Sequence, residues 1–448
     1  MTTSLEQLQA GQLAGARQIK LACGLTEFPR EIFDLAETLE ILDLSGNALS
    51  MLPDDLPRLT RLRILFASNN RFTELPEVLG ACPQLSMIGF KANRIRKVSG
   101  RSLPQQLRWL ILTDNEIEAL PAEIGNCSRL QKLMLAGNRL RTLPAEMAAC
   151  ARLELVRLSA NRLSGLPGWL VRLPRLAWLA YAGNPLSAAL EATASAGTPV
   201  DDIHWEALAL EQKLGEGASG IIYRARQIPR DGDGSTPVAV KLFKGAVTSD
   251  GLPDCEMAAC MHAGQHPNLI QVRGKVQGHP MDEHGLVMAL IDPEFTNLAA
   301  PPSLASCTRD IYGADARFDL ASAVRIAHGI ASAACHLHQR GIMHGDLYAH
   351  NILHCSQGRA LLGDFGAASL YDVNDRELGL ALQRLEVRAF GHLLEELIER
   401  CEVGTSSDTG ELEELKMACL SERIESRPLF PAIAARLLAC SALLPAEP

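Results

Sequence analysis

Apolar positions in the first part of the chain recur as L-x-x-L-x-L-x-x-N-x-L. The string is read in LEILDLSGNAL from Leu39, LRWLILTDNEI from Leu107 (closing on Ile117), LQKLMLAGNRL from Leu130 and, with Val156 in the second leucine position, LELVRLSANRL from Leu153. Looser copies start at Leu62, Leu85 and Leu176. Asn47, Asn70, Asn93, Asn115, Asn138, Asn161 and Asn184 stand 23 residues apart with a single interval of 22. A register kept this long predicts a solenoid, in which each copy buries its apolar face against its neighbours. Leu42 and Leu44 alternate on one face of a short strand, and an Asn side chain can bond backbone groups where the chain bends, which predicts stacked strands in a parallel sheet. L-P steps such as Leu52–Pro53 and Leu143–Pro144 limit further strand pairing. IKLACGLTEFP, from Ile19 to Pro29, predicts a shortened N-terminal cap.

These motifs resemble the leucine-rich repeat family over residues 16–190. Cys82, Cys127 and Cys150 precede the first leucine of a copy by three residues, the column also filled by Leu59 and Leu173, and read as core packing. Arg71, Arg94, Arg139 and Arg162 follow the asparagines and read as a solvated rim. Positions between the buried leucines face the concave side. One column is Ile41, Ile64, Met87, Trp109, Lys132, Leu155 and Trp178; the next is Asp43, Phe66, Gly89, Ile111, Met134, Arg157 and Ala180. So apolar a surface predicts a protein partner or substrate on Ile64, Phe66, Met87, Trp109, Ile111, Met134, Leu155 and Trp178, against the plainer readings of strand propensity or cover by the second domain.

The pattern changes after Leu186. SAALEATASAGTPVDD is small, polar and Pro-containing, which predicts a linker over 191–204 and a second domain over 205–448. LEQKLGEGASGIIYRA then places Gly215, Gly217 and Gly220 in G-x-G-x-x-G. A dinucleotide fold uses the same spacing, but the strand-like IIYRA that follows predicts a strand–loop–strand flap with backbone N–H groups over phosphates. Val238–Lys241, V-A-V-K, is a strand whose lysine can pair with phosphates. It needs a carboxylate to hold it: Glu256 is the first candidate and Asp254 the second, both on a helix ahead of Pro267. Downstream, MHGDLYAHNIL holds Asp346 and Asn351, and LLGDFG holds Asp364.

This ordered set resembles the eukaryotic-type protein kinase family. The resemblance implies a multidomain chain: an α/β leucine-rich repeat solenoid followed by a bilobal α+β kinase fold, with a small lobe over about 205–291 and a large lobe over about 292–448. It implies ATP and Mg2+ as cofactors, Asp346 accepting or orienting the proton of the attacking hydroxyl, and Lys241 and Glu256 as the supporting pair. Asn351 and Asp364 match the metal ligands. Nucleotide contacts fall on Leu214, Gly215, Glu216, Gly217, Ala218, Ser219 and Gly220. Ile222, Ala239 and Leu353 would sandwich the adenine, Met288 would guard its pocket, and the Ala289 carbonyl and Ile291 amide would bond it. ESRPLFPAI, with Arg427, favours the tyrosine-kinase-like branch, and short L-P repeats fused to a compact kinase point to a bacterial source.

Three departures bear on the acceptor. Gly345 stands where many kinases have Arg, Tyr348 where serine/threonine kinases place Lys, and His350 where tyrosine kinases often have Arg. No A-P-E follows D-F-G, so the stretch from Asp364 to Glu386, read as the acidic start of a buried helix, leaves little room for a peptide platform, and Arg427 loses its family partner.

Composition adds bounds. The 448 residues are 47% hydrophobic and 21% charged, an ordinary globular mix. Residues 1–190 carry 22 basic and 17 acidic side chains, residues 191–448 carry 21 and 35, and the net charge of -9 argues against nucleic-acid binding. No leader or long apolar run is read, and the 12 cysteines form no C-x-x-C pair, so a cytoplasmic protein with reduced thiols and no membrane span is expected. His262, His266 and His279 have no metal-ligand spacing. The leading expectation is an ATP- and magnesium-dependent protein kinase with a recruiting repeat domain. The alternatives are a nucleotide-binding pseudokinase scaffold, opposed by intact Lys241, Asp346, Asn351 and Asp364, and a small-molecule kinase, opposed by the glycine flap, V-A-V-K and the R-P-x-F tail.

Overall fold

The computed structural model describes residues 4–197, 201–217, 219–228, 234–244, 247–248, 250–401 and 410–443. The chain divides into two compact units, Met1–Leu176 with Asn184–Leu186, and Ala177–Gly183 with Ser187–Pro448.

The first unit opens with helix α1 (Leu5–Gln9), capped by the Ser4 hydroxyl, which accepts the Gln7 N–H. Seven three-residue strands follow: β1 (Gln18–Lys20), β2 (Ile41–Asp43), β3 (Ile64–Phe66), β4 (Met87–Gly89), β5 (Trp109–Ile111), β6 (Lys132–Met134) and β7 (Leu155–Arg157). Each pairs in parallel with the next, so Ile41, Ile64, Met87, Trp109, Lys132 and Leu155 lie side by side. The middle residues Leu42, Leu65, Ile88, Leu110, Leu133 and Val156 are fully buried. Period-two alternation in such short strands suffices because every repeat contributes the same layer.

The asparagines close the bends. Asn70 accepts the Leu49 N–H at 2.9 Å through Oδ1 and donates through Nδ2 to the Leu44 and Ala67 carbonyls. Asn115 and Asn138 repeat the arrangement with Ile95 and Ile117. Buried backbone groups left unpaired by the bends are thereby satisfied. Cys82, Cys127 and Cys150 lie in the core, where burial pushes each thiol up to about 11.

The second unit begins with strand β8 (Trp178–Ala180), the strand of the last repeat copy, followed by α2 (Ala188–Gly197) and β9 (Asp201–His204). Then come β10 (Leu208–Glu216), β11 (Gly220–Gln227), β12 (Thr236–Phe243), α3 (Pro253–Ala263), β13 (Val272–Gln277) and β14 (Gly285–Ala289). These strands form a six-stranded sheet in the order β10-β11-β12-β14-β13-β9. Beyond it lie β15 (Thr296–Asn297), α4 (Leu320–Gln339), β16 (Ile342–Met343), β17 (Ile352–His354), β18 (Ala360–Leu362), β19 (Ser369–Leu370), α5 (Arg376–Ile398), α6 (Gly410–Cys419) and α7 (Phe430–Leu443). Among the described residues no helix is long and apolar enough to cross a membrane.

Three expectations are corrected here. The stretch 191–204 is not a bare linker: its alanine-rich first part extends α2, and β9 pairs in parallel with β13. Alanine is the strongest helix former, and Ile203 alone carries β9 into the core beside Val238, Val240 and Val287, too short a pattern to read from sequence. Trp178 does not belong to an open repeat face. It is 1% exposed, stacked within the second unit on Tyr348. Glu386 lies well inside α5, which starts at Arg376 behind an Asp375 cap.

Candidate active site

The glycine-rich hairpin joins β10 and β11. The Gly217 N–H donates to the Gly220 carbonyl at 2.9 Å. A Cβ on Gly220 would stand 2.4 Å from the Leu242 carbonyl oxygen, so close packing on β12 demands this glycine, whereas Gly215 and Gly217 face open space. Leu214 is exposed. Glu216 pairs with Lys213 and Lys244, and these hydrogen bonds, Lys213's first, hold its carboxyl down at about 2. Ala218 lies outside the described residues.

Lys241 sits on β12, opposite Ile222 on one side and Leu286 on the other. Its ammonium pairs with Glu256 Oε1 from the first turn of α3, and the two residues are 8% and 3% exposed. Asp254 turns away to His284, 2.7 Å from Nδ1, which resolves the choice of carboxylate in favour of Glu256. Burial acts to lower the Lys241 ammonium, but the charges of Glu256 and Asp364 outweigh it and the net direction is up. Burial pushes Glu256 up to about 7 against the opposing pull of Lys241.

A pH dependence follows. Because the folded value of Glu256 lies above the ordinary carboxylate value of 4.5, lowering the pH through about 7 neutralises the lysine's partner. Nucleotide kcat/KM should fall below that pH, since this parameter reports groups of the free enzyme. Glu256→Gln should be weak and flat across the same window. The stability contribution has the opposite sign: it is fully present below the unfolded value and is lost as pH rises through about 7. Parallel kcat/KM profiles for parent and variant would contradict the assignment.

Asp346 and Asn351 lie on the loop between β16 and β17. Asn351 Nδ2 donates to the Asp346 carbonyl at 3.0 Å and to Asp346 Oδ2 at 2.8 Å, fixing the carboxylate's orientation. The buried His344 ring bonds the Gly363 carbonyl through Nε2 at 2.9 Å, and its Nδ1 accepts the Asp346 N–H at 3.3 Å. Glu386 accepts the Gly345 N–H at 2.7 Å and lies 2.7 Å from His338 Nε2. Burial acts to raise the Glu386 carboxyl, but the His338 hydrogen bond, with the nearby imidazoles and the Gly345 N–H, brings it down overall. His350 is held by Asp310, 2.8 Å from Nδ1; burial opposes its charge, yet the Asp310 bond leads to a net rise.

Asp364 has a left-handed backbone, φ 52°, and its Oδ1 accepts the Gly366 N–H at 3.1 Å. Asp tolerates this conformation better than most residues. Phe365 is buried edge-on against His344, with ring centroids 5.2 Å apart.

A cavity of about 140 Å³ lies beside the glycine-rich hairpin and the Lys241–Glu256 pair, and neither Asp346 nor Asn351 is among the residues that line it. It is lined by Gly217, Ser219, Gly220, Ile222, Lys241, Glu256, Met288 and Asp364, and also by Cys260, Ile270, Val272 and Leu286, which the sequence reading missed. Their signal was only an apolar residue on a strand or helix. Ala239 pairs with Met288, whereas Ala289 and Ile291 line a separate opening with Phe295 and Leu361. Leu353 is half-buried on β17, opposite Leu361. Arg427, expected to have lost its partner, bonds the Ser421 and Arg384 carbonyls at 2.9 and 3.1 Å.

Residues 208–409 match the family described as protein tyrosine and serine/threonine kinase. Residues 105–163, 128–186 and 38–59 match leucine-rich repeat families. Human cyclin-dependent kinase 10 is 26% identical over 222 residues, covering 49% of this chain and 55% of that protein. The serine/threonine-protein kinase PITSLRE of Drosophila melanogaster is 27% identical over 161 residues, covering 36% of this chain and 16% of that protein. The chain thus spans about half the length of the first relative and less of the second. A solved LRR protein of Leptospira interrogans has a TM-score of 0.37 and 30% identity, with 40% of this chain and 46% of that one covered.

Proposed function

With leucine-rich repeats followed by a protein kinase domain in one chain, we propose that this protein transfers the terminal phosphoryl group of ATP to a protein hydroxyl and that its repeats recruit the partner or substrate. The observation that carries the reading is the buried Lys241–Glu256 ion pair beside Asp364 on the cavity that Gly217 and Gly220 also line. A buried ammonium costs several kcal/mol unless paired, so a lysine held this way in a cleft is suited to a polyphosphate.

The roles divide as follows. Lys241 pairs with the phosphates and Glu256 holds it in place. Asp346, oriented by Asn351, accepts the proton of the acceptor hydroxyl as the new P–O bond forms. Asn351 turns its amide nitrogen to Asp346, so its carbonyl oxygen and the Asp364 carboxylate are the oxygens that would hold a hard divalent cation. Mg2+ bound there would neutralise charge on the transferring group. Ile222, Ala239, Met288 and Leu353 supply apolar contact for adenine, and Ala289 and Ile291 its backbone bonds. Intact Lys241, Asp346, Asn351 and Asp364 support catalysis over a scaffold role.

The test is incubation with γ-labelled ATP and Mg2+, alone and with lysate, followed by mass identification of labelled proteins and small molecules. Label on Ser, Thr or Tyr of a protein supports the reading and settles the acceptor; label only on a small molecule would favour the small-molecule kinase.

For the repeats, Phe66, Trp109, Ile111 and Met134 are only half-buried, and Lys132 Nζ lies 4.3 Å from the Trp109 ring. An aromatic with a cation above it is a fitting interface anchor. Trp109→Ala should weaken partner capture about tenfold while turnover on a generic substrate stays unchanged. Equal capture by parent and variant would remove this face from the proposal.

A further inference from the structure

We infer that strand β8 together with Tyr181 is a positioning element for the loop that carries Asp346; this rests on the phosphoryl-transfer reading above. The Trp178 indole N–H donates to the carbonyl of Leu347, the residue after Asp346, at 3.1 Å. Its ring lies nearly parallel to that of Tyr348, with centroids 4.1 Å apart and planes 6° apart, and it also stacks on His392 at 5.6 Å. Burial pushes His392 down to about 4, so its ring is neutral at pH 7. The Tyr181 backbone N–H donates to Ser369 Oγ at 2.9 Å, and its hydroxyl donates to the Leu370 carbonyl at 3.3 Å. The same short segment therefore grips the chain on both sides of the D-F-G stretch.

Gly345 shows how closely it does so. Its φ is 73°, and a Cβ there would stand 2.5 Å from the Ala367 carbonyl oxygen and 2.6 Å from that of Leu179. The arginine that the family resemblance would place here has no room for its first side-chain carbon. A side chain at position 345 is excluded by the Ala367 carbonyl and the β8 backbone together, as well as by the left-handed φ. The nearby hydroxyls are likewise committed: Ser369 is fully buried, and the Tyr371 hydroxyl donates to the His338 carbonyl at 3.0 Å. Order that a phosphate and an arginine could supply is supplied here by a neutral, buried strand of the chain itself. Trp178 and Tyr181 are each 1% exposed, and their indole and phenol donors are paired, so the loop loses little mobility on reaching the transition state that it has not already lost on folding.

The test uses the full chain and two substitutions. Trp178→Ala removes the stack and the bond to Leu347; Trp178→Phe keeps an aromatic ring and removes only the bond. Steady-state kcat for ATP-dependent transfer is measured beside ATP affinity by calorimetry. The expected order of kcat is parent, Phe, Ala, with Ala down at least tenfold and Phe about threefold, while ATP affinity changes less than twofold in both. Should Trp178→Ala fail to fold, Trp178→Phe alone decides by the same split. Unchanged kcat in a folded variant, or kcat and ATP affinity falling together, overturns the inference. A parent chain that transfers no phosphate refutes the phosphoryl-transfer reading instead. In that case the positioning claim is decided by hydrogen exchange at residues 345–351, which must quicken in the variant without a matching change in α7 if the claim holds.

Discussion

Asp346→Asn is expected to lower phosphoryl transfer by roughly 10²–10⁴-fold, the usual contribution of a positioned general base. ATP affinity should stay within about twofold. The two effects separate because the side chain bonds Asn351 and does not join the Lys241 ion pair. An amide oxygen at this position can still accept the Asn351 N–H, so the loop keeps its conformation while losing its ability to take a proton. Initial rates with a generic protein acceptor, set beside calorimetric ATP titrations, measure both quantities. A variant that loses ATP affinity as steeply as rate would place Asp346 in nucleotide binding instead.

Asp364→Asn is expected to remove the metal dependence of ATP binding. The substitution suits the left-handed backbone at φ 52° and retains an oxygen for the Gly366 N–H, so the turn should survive while the charge is lost. Hard divalent cations depend on carboxylate charge. In the parent, Mg2+ should tighten ATP binding at least tenfold, about 1.4 kcal/mol; in the variant the gain should fall below twofold. Titrations with Mg2+ and with chelator decide it, and equal gains in both proteins would assign the cation to other ligands.

Much of this arrangement was legible in sequence because it rests on short-range order. The repeat strands and the Asn47 to Asn184 ladder declare themselves by interval, and Asp346 and Asn351 lie five residues apart on one loop. Glu256 was legible as a candidate but not decided against Asp254, two residues away; the direction of α3 decides, and only His284, 30 residues distant, reveals where Asp254 goes. Contacts across long separations had no signal. The bond from Trp178 to Leu347 spans 169 residues, and nothing in the repeat pattern separates Trp178 from Trp109. Gly345 was visible as a missing arginine, whereas its cause, the carbonyls of Leu179 and Ala367, was not. β9 carries no sequence signal because one buried isoleucine in four residues has no period, and Gly220, whose spacing suits a phosphate flap, is already required by its close packing on β12.

Whether Lys241 and Asp346 serve one phosphoryl transfer from ATP is decided by following ADP and labelled product from γ-labelled ATP with the purified full chain. Parent and Asp346→Asn are compared at equal ATP occupancy, each with Mg2+ and with chelator. Product should require Mg2+ and fall at least 100-fold in the variant. Product formed at equal rates by the two proteins, or no product from a parent shown to be saturated with ATP, would contradict a shared transfer.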